Sequence, residues 1–346
     1  MPLKITSWNI EWADKLLTAL QAAKIKDADK DRRDRIYQTL CELDPDILCV
    51  VEGPKGEKRV LEFGTEVLND DWVPVLLGNG DGSRDKEYDT KGNQWIWFFV
   101  KPAQKERCRL QSPAIWQAKT GHQSWNVHLW GEPYKTKKHE HYRHPQVLVY
   151  RFEDGQEMEL IGVHTKSGFM NTKYGKDADG NINRDYLDEA LTNRIKLATE
   201  ARNVRAYISQ RFVECAQKPP AIIIGGDCND GENQDYFEEN YLFFSVISNL
   251  EGSLIDSEKF FYHALFDFDP EKSWSIRFDD PVTGKKAKDN PLLLDHILYS
   301  QPLRTGPYPL RAKTRAGLVE HEVWEKFNPP GTKETSDHRP VSIVLR

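Results

Sequence analysis

Several features that would mark a specialised class of protein are missing from this chain of 346 residues. No apolar run is long enough to cross a membrane, and no apolar leader segment follows Met1. The five cysteines form no C-x-x-C pair, which argues against a zinc site and against a disulfide framework. There is no internal repeat and no low-complexity linker. These absences predict a cytoplasmic protein with reduced, mostly buried thiols.

The sequence also has no excess of positive charge. It contains 48 Lys and Arg against 54 Asp and Glu, which gives a formal net charge of −6. Proteins that wrap nucleic acid without sequence preference usually carry a basic face, so the overall balance gives no support for extended nucleic-acid binding. An enzyme that holds one or two phosphates needs only local positive charge, part of which a bound metal can supply. The charge balance therefore leaves a phosphate-handling enzyme open.

What the sequence does contain is the composition of an ordinary globular enzyme, with 38% hydrophobic residues, 29% charged residues and ten tryptophans. Short apolar runs alternate with helical stretches along the chain, and the apolar spacing predicts helices at Arg32–Leu43 and Arg184–Phe212. The predicted strands are Ile5–Trp8, Ile47–Val51, Gln94–Val100, Gln146–Phe152, Met158–Val163, Ala221–Ile224, Ile297–Tyr299 and Val341–Leu345. Because strands lie at both ends, we expect one α/β domain over residues 1–346 whose termini share a core.

Long polar segments separate some of these elements and are predicted to be loops. They are Gly78–Gly92, Lys119–His144, Phe169–Asn183 and Asp279–Asn290. The segment Lys119–His144 combines lysines, Arg143 and five histidines with four aromatic residues, Trp125, Trp130, Tyr134 and Tyr142. Basic groups next to aromatic rings suit a phosphate backbone with unstacked bases. The alternative is a solvated loop whose aromatic rings pack back on the sheet.

Polar groups with metal- or phosphate-handling chemistry stand where the predicted strands begin or end. They are Asn9, Glu52, His164, Asp227, Asn229, Asp295, Asp337 and His338. Ionisable groups at the ends of buried strands cost desolvation energy unless they are paired or bound to a metal. Each residue alone can be interpreted as a turn or cap residue. Together they favour a site built at the edge of a rigid sheet.

Six short motifs contain these residues: SWNIEW (Ser7–Trp12), ILCVVEG (Ile47–Gly53), GVHTKSG (Gly162–Gly168), GGDCND (Gly225–Asp230), LLDHILYS (Leu293–Ser300) and SDHRPV (Ser336–Val341). In this order they resemble the motifs of the endonuclease/exonuclease/phosphatase superfamily, which includes deoxyribonuclease I-like enzymes and abasic-site endonucleases. The resemblance extends over nearly the whole chain. It implies a four-layer α/β sandwich in which two mixed β-sheets pack face to face with helices outside.

The resemblance also implies a divalent cation, because a phosphodiester repels an incoming anion unless positive charge reaches its oxygens. It makes Glu52 a principal carboxylate ligand of Mg²⁺ or Mn²⁺, with Asn9 and Asp337 completing or supporting the site. Asp227 would orient or deprotonate the attacking water. Asn9 is also assigned to substrate binding.

The remaining roles concern the phosphate. Asn229 would donate a hydrogen bond to it, and His338, held by Asp295, would stabilise the charge of the transition state or transfer a proton. Arg143 precedes a strand as the arginine of an Arg-x-Pro sequence does in several members, where it reaches the phosphate; the alternative is a solvated charge. Lys166 is also assigned to substrate binding, and the alternative is again a solvated charge.

Three positions depart from the family's pattern. Deoxyribonuclease-like members orient the histidine equivalent to His164 with a Glu ahead of an aromatic strand, and Asn93 stands there in this chain. His164 is therefore assigned to the site without an established role as general acid. Val51 replaces a common Gln, and Cys228 replaces a common aromatic residue and is interpreted as a packing residue and not a nucleophile.

Three functions are compatible with these observations. The first is a metal-dependent phosphodiesterase that acts as a nuclease on DNA or RNA. The second is a phosphatase or phosphodiesterase acting on a small phosphorylated metabolite or a lipid head group, which the negative net charge also suits. The third is a non-catalytic interaction module, against which the presence of Glu52, Asp227 and His338 argues.

Overall fold

The computed structural model describes residues 1–17, 27–129, 135–168, 170–231, 235–266 and 269–346. Within them, the strands are β1 (Leu3–Asn9), β2 (Ile47–Gly53), β3 (Val73–Pro74), β4 (Trp95–Val100), β5 (Cys108–Gln111), β6 (Ser124–Leu129), β7 (Lys135–Glu140), β8 (Gln146–Arg151), β9 (Glu157–His164), β10 (Ala221–Asp227), β11 (Phe261–His263), β12 (Ile276–Arg277), β13 (Pro291–Leu292), β14 (Asp295–Ser300), β15 (Ala312–Val319) and β16 (Val341–Leu345).

The α-helices within the same residues are α1 (Asp27–Leu43), α2 (Glu57–Glu66), α3 (Pro113–Thr120), α4 (Arg184–Glu214), α5 (Val246–Glu251), α6 (Pro302–Thr305) and α7 (His321–Lys326). Short 3₁₀ segments lie at Ala13–Leu16, Asp85–Tyr88, Pro102–Arg107, Ser257–Lys259, Pro270–Lys272 and Ala287–Asp289, and a π-helical turn at Glu238–Leu242. Both predicted helices are present: α1 begins five positions before Arg32, and α4 extends two positions beyond Phe212.

Two six-stranded sheets form the centre of the molecule, in the strand orders β15-β16-β1-β2-β4-β3 and β11-β14-β10-β9-β8-β5. Both sheets are mixed. In the first, β1 pairs parallel with β2 and antiparallel with β16. In the second, β10 pairs parallel with β9 and antiparallel with β14. The first and last strands of the chain are therefore neighbours.

The sheets pack face to face through one apolar cluster that includes Ile5, Ile47, Phe98 and Ile343 of the first sheet and Leu160, Ile223 and Ile297 of the second. A second cluster joins the outer face of the first sheet to α1 and α2, and a third joins the outer face of the second sheet to α3, α4 and α5. Inner and outer faces are both apolar because each sheet is buried on both sides. The predicted four-layer sandwich is confirmed.

One loop prediction is wrong. The segment Lys119–His144 contains the antiparallel pair β6–β7, in register from Ser124 opposite Glu140 to Leu129 opposite Lys135. The pair rests on α4, because the His139 ring hydrogen-bonds the Thr199 hydroxyl at 3.0 Å and His141, directly after β7, bonds Asn203 at 3.0 Å. The strand β7 (KTKKHE) contains no aliphatic or aromatic residue and so does not resemble an apolar strand, which explains the error. Trp130 and Tyr134 lie outside the described residues.

All five cysteines are free, as predicted. Cys228 is fully buried, and burial raises the pKa of its thiol well above the ordinary value, which agrees with a packing role and not with a nucleophile. No helix among the described residues has both the length and the apolar character needed to span a membrane. The cytoplasmic location stays a prediction.

Candidate active site

Strand alternation brings four of the predicted site residues together between the two sheets. Every second residue of a strand faces the same side of its sheet. Alternate residues of each strand face the core between the sheets. On that face, the last residues of β1, β9 and β10 are Asn9, His164 and Asp227, and the first residue of β14 is Asp295. Asp227 lies opposite His164 on one side and opposite Asp295 on the other. Gly226 has a φ of +147°, and a Cβ there would collide with the backbone of β9, so only glycine allows this approach.

The Asp227 carboxylate, on the second sheet, is hydrogen-bonded to the first sheet. Its Oδ2 accepts a hydrogen bond from Asn9 Nδ2 at 3.1 Å, which crosses from one sheet to the other. Its Oδ1 accepts the Asn229 backbone N–H at 2.9 Å, in a turn where Asn229 has a φ of +50°. Two imidazoles flank Oδ2: His164 Nε2 at 3.6 Å and His338 Nε2 at 3.9 Å. Burial raises the pKa of this carboxyl above its ordinary value, and the charge of His338 opposes that rise.

His338 is held as an imidazolium. Its Nδ1 lies 2.6 Å from Asp295 Oδ2, and Ser336 and Trp8 fix its backbone through bonds of 3.1 Å and 3.0 Å. Burial alone would lower the pKa of this histidine. The carboxylates of Asp295 and Asp227 outweigh burial and raise the pKa to about 10.

His164 is in the opposite state. Burial, assisted by the charges of Arg143 and His338, lowers the pKa of His164 well below the ordinary value, so its ring is neutral. Its Nδ1 is buried and has no hydrogen-bond partner among the described residues. The orienting carboxylate of deoxyribonuclease-like enzymes is therefore missing from this ring, in line with the Asn93 substitution noted in the sequence.

Glu52 reaches the site by a different route, because it does not belong to the inward series of β2. The pairing of β2 with β4 shifts register between Val50 and Gly53, and Glu52 adopts a left-handed φ of +57°. A bulge of this kind re-aims a side chain at the edge of a sheet. Glu52 Oε2 accepts the Trp12 backbone N–H at 3.0 Å. Burial raises the pKa of the carboxyl, and Arg143 and His338 lie close enough to oppose that rise.

Gln94 connects Glu52 to Arg143 and was missed in the sequence. Its Nε2 donates to Glu52 Oε2, and its Oε1 accepts from Arg143 Nη2 at 2.6 Å. Gln94 was included only as the first residue of an apolar run. The criterion that selected Asp295 at the beginning of a strand would have found Gln94 if it had been applied to the amide that begins this run.

Glu200 is a second residue that the sequence did not single out. Although it lies on α4, its Oε2 accepts the Lys166 backbone N–H at 2.7 Å, and its charge acts on Arg143. Lys166 Nζ donates to the neighbouring Ser167 carbonyl at 2.7 Å. A carboxylate on the buried face of a helix was the available signal, since Leu197 and Ala201 on either side are core residues.

Asp337 is exposed, unlike its neighbour His338. The loop that carries it is clamped to the loop after Asn9 by Arg32, a buried residue of α1. Arg32 Nη2 donates to the carbonyls of Ile10 and Glu11 at 2.6 Å and 2.8 Å, and Nε donates to the Thr335 carbonyl at 2.9 Å. The charges of Glu52 and Asp337 are close enough to act on each other.

Two groups of residues can be tested for the fit of a cation. Asp227, Asp295 and His338 offer ligand atoms within 4.8 Å of one another. A protonated imidazole cannot bind a metal, however, and the hydrogen bond of His338 to Asp295 already satisfies this group. Glu52 and Asp337 offer carboxylate oxygens at the open edge of the site, which is the donor type and low ligand number that suit Mg²⁺ or Mn²⁺. Glu52 and Asp337 therefore fit a cation better.

Comparison with known proteins agrees with this architecture. No protein-family model matches the sequence, and no curated protein sequence matches it. AP endonuclease LMAP from Leishmania major is similar in structure, with a TM-score of 0.55 and 12% identity over 100% of this chain and 88% of that chain. The chain therefore shares its fold with this structure.

Two further structures of this fold are similar to the chain. TDP2 from C. elegans matches with a TM-score of 0.51 and 13% identity, over 100% of this chain and 75% of that chain. TDP2 from D. rerio, humanized by 14 mutations, matches with a TM-score of 0.51 and 13% identity, over 100% of this chain and 99% of that chain. Likeness at such low identity shows the fold alone, and the chemistry must be argued from the site.

Proposed function

We propose that this chain is a divalent-metal-dependent phosphodiesterase that hydrolyses nucleic acid, and that residues 1–346 form one catalytic domain. The observation that carries the proposal is the Asp227 carboxylate, which belongs to one sheet, accepts a hydrogen bond from Asn9 of the other and lies between a neutral and a charged imidazole. Hydrolysis of a phosphodiester needs a group that takes up or directs a proton and a fixed positive charge that stabilises the transition state. Asp227 and His338 supply these two requirements side by side.

Glu52 and Asp337 would hold Mg²⁺ or Mn²⁺, with Asn9 supporting the site. When bound, the cation would withdraw charge from a non-bridging phosphate oxygen and so make the phosphorus more open to attack. The bond from Gln94 helps to orient Glu52, and the Trp12 N–H together with the charges of Arg143 and His338 opposes the rise in the pKa of this carboxyl that burial causes. Gln94 also fixes the distance between this carboxylate and the guanidinium of Arg143.

The remaining residues act on the water and the phosphate. Asp227 would orient the attacking water and accept its proton, for which a carboxyl with a raised pKa is suited. The His338 imidazolium would neutralise the charge that develops on the phosphate oxygens, while Asp295 keeps the ring protonated. Arg143, Lys166 and Asn229 would bind the phosphate. His164 would fill the wall beside Asp227 as a neutral ring.

The proposal is tested by exchanging one carboxylate and by removing the metal. Asp227→Asn should lower turnover of a susceptible nucleic acid by about 1,000-fold or more, because the proton acceptor is lost while the shape is kept. Asp154→Asn, in an exposed turn at the opposite end of the sheets, is the matched control and should be fully active. Chelation should abolish activity, and Mg²⁺ or Mn²⁺ should restore it. Full activity of Asp227→Asn or chelator-resistant hydrolysis would contradict the proposal.

The negative net charge of −6 keeps a small phosphoester as the alternative substrate. Single- and double-stranded DNA, RNA and a set of small phosphoesters should therefore be assayed with the same enzyme. Salt-sensitive cleavage of polymers would favour the nuclease, because each phosphate contact releases counterions. Turnover of small esters alone would establish the alternative. Binding without any turnover would support a non-catalytic module.

A further inference from the structure

The β6–β7 hairpin is not used by the reaction proposed above, yet it rises beside the candidate active site. The chain passes from β7 through His141 and Tyr142 directly to Arg143. His141 Nε2 is 3.0 Å from Asn203 Oδ1, and His139 Nδ1 is 3.0 Å from Thr199 Oγ1, so the hairpin and the residue that follows it are anchored to α4 three residues after and one residue before the buried Glu200. The hairpin therefore has a fixed position at the rim of the site.

The hairpin carries unpaired positive charge. Lys135, Lys137 and Lys138 are exposed, and none of them forms an ion pair with an acidic residue in the part of the chain that the structure describes. Glu140, the acidic residue within the described part of the hairpin, is already paired with Lys91. Three lysines on six consecutive positions without a counterion are an unusual concentration in a chain with more acidic than basic residues.

This positive charge continues from the hairpin to the site. Burial, together with the charges of Lys196 and Lys137, lowers the pKa of His139, which shows that both lysines lie near its ring. Burial and the charge of Lys196 also lower the pKa of Lys166. Lys196, whose Nζ is 3.9 Å from Glu200 Oε1, therefore lies near both the hairpin and Lys166, and we call the three hairpin lysines, Lys196 and Lys166 the basic strip.

An aromatic side chain stands where this strip reaches the site. Tyr142 is 44% exposed, and the guanidinium of Arg143 lies 5.6 Å from the centre of its ring. Part of the Tyr142 side chain is therefore open to a stacking partner. A base can stack on such a ring only if it is free of its own partner strand. Proteins that bind single strands combine lysines, which contact the phosphate backbone, with an aromatic ring, which stacks on a base.

We propose that Lys135, Lys137 and Lys138 of the β6–β7 hairpin, with Tyr142, bind the backbone and one base of a single-stranded polynucleotide next to the phosphate held at the active site. This inference rests on the proposed function, since it names the substrate of the same site. It concerns binding outside the reacting group, so binding can be measured separately from cleavage.

The test compares two triple variants with the same change of charge. In the first, the hairpin lysines are changed by Lys135→Gln, Lys137→Gln and Lys138→Gln. The control changes Lys105→Gln, Lys218→Gln and Lys313→Gln, three exposed lysines at the opposite end of the sheets. Binding of a fluorescent single-stranded oligonucleotide is measured by anisotropy in chelator at several salt concentrations. Turnover of the oligonucleotide and of bis(p-nitrophenyl) phosphate is measured with Mg²⁺.

We expect the hairpin variant to bind the oligonucleotide on the order of 10-fold more weakly, with a salt slope smaller by about 2, since three contacts each contribute about 0.7 on single strands. The control variant should bind as the unmodified protein does. Tyr142→Ala should weaken binding by about 10-fold without changing the salt slope, because stacking releases no counterions. Turnover of the small diester should be unchanged in both triple variants.

The outcomes separate the two proposals. Loss of oligonucleotide binding in the hairpin variant alone supports the surface even if no polymer is cleaved, in which case only the nuclease assignment fails. Equal binding by the hairpin and control variants, or no binding by the unmodified protein, overturns the surface even if the small diester is hydrolysed. If binding of duplex DNA depends on the three lysines and on Tyr142 as strongly as binding of the single strand does, the assignment to single strands is overturned.

Discussion

Two imidazoles flank the same oxygen of Asp227, and they are in opposite protonation states. His164 and His338 are 4% and 7% exposed, and their Nε2 atoms lie 3.6 Å and 3.9 Å from Asp227 Oδ2. The pKa of His164 is lowered well below the ordinary value, whereas that of His338 is raised to about 10. Burial and distance to Asp227 are nearly the same for both rings, so neither explains the difference.

The difference in protonation state comes from the Nδ1 atom of each ring, which points away from Asp227. Nδ1 of His338 lies 2.6 Å from a buried carboxylate, that of Asp295, and Nδ1 of His164 has no partner among the described residues. Burial by itself favours the neutral form of an imidazole, and one hydrogen-bonded carboxylate reverses that preference. One ring is thereby a fixed positive charge, and the other is a neutral wall of the same site.

The largest expected effect separates the two rings by activity. His338→Ala should reduce turnover by about 100- to 1,000-fold, because it removes the positive charge assigned to the transition state. His164→Ala should cost about 10-fold or less, because it removes a neutral side chain. Each variant is the control for the other, and kcat and KM are measured on the same substrate. A loss of similar size in both variants would contradict the division of roles.

A second, smaller effect tests whether Asp295 is the cause of the raised pKa of His338. In the metal-free protein, Asp295→Asn should lower the pKa of His338 by about 1–3 pKa units, because the charge of its partner is removed while the hydrogen bond is kept. The sign follows from the raised pKa: unmodified His338 stays protonated through pH 8, and the variant begins to lose its proton at a lower pH. Imidazole resonances followed by NMR measure this, with His164 as the ring that stays neutral. An unmoved His338 titration would show that Asp295 is not the cause.

The smallest effect applies the same reasoning to a buried carboxylate. Burial raises the pKa of Glu200 to about 7, although Lys196 and the Lys166 N–H oppose the rise. Folded Glu200 thus keeps a proton that the unfolded chain loses above its ordinary pKa of 4.5. Its contribution to the free energy of unfolding is highest below that pH and is lost as the pH rises toward 7.

Glu200→Gln should therefore remove a pH-dependent loss of about 2 kcal/mol between pH 4.5 and pH 8. Urea unfolding of the variant and of the unmodified protein at several pH values measures the difference. Glu258→Gln, at an exposed position, is the control and should follow the unmodified protein. A pH dependence that is unchanged in Glu200→Gln would show that this carboxyl is not responsible.

The sequence predicted most of the residues that meet at the site, because strand alternation is a local property. Asn9, His164 and Asp227 all end strands whose apolar residues were evident, so their common side of the sheets followed from the pattern. The hairpin escaped detection because its stability comes from hydrogen bonds to α4 and not from an apolar face. Gln94 escaped because its two partners, Glu52 and Arg143, come from separate parts of the chain.

The sequence alone determined the buried strands, the strand ends and the chemical types of the groups placed there, and the two-sheet arrangement came from the resemblance of the motifs. It did so because periodicity and residue type are read along the chain. Only the tertiary structure decided how Glu52 is turned by its bulge, which ring is charged and which carboxylate stays protonated. Those properties depend on distances of a few ångströms between residues far apart in sequence, and on the exclusion of water that only packing of the sheets brings about.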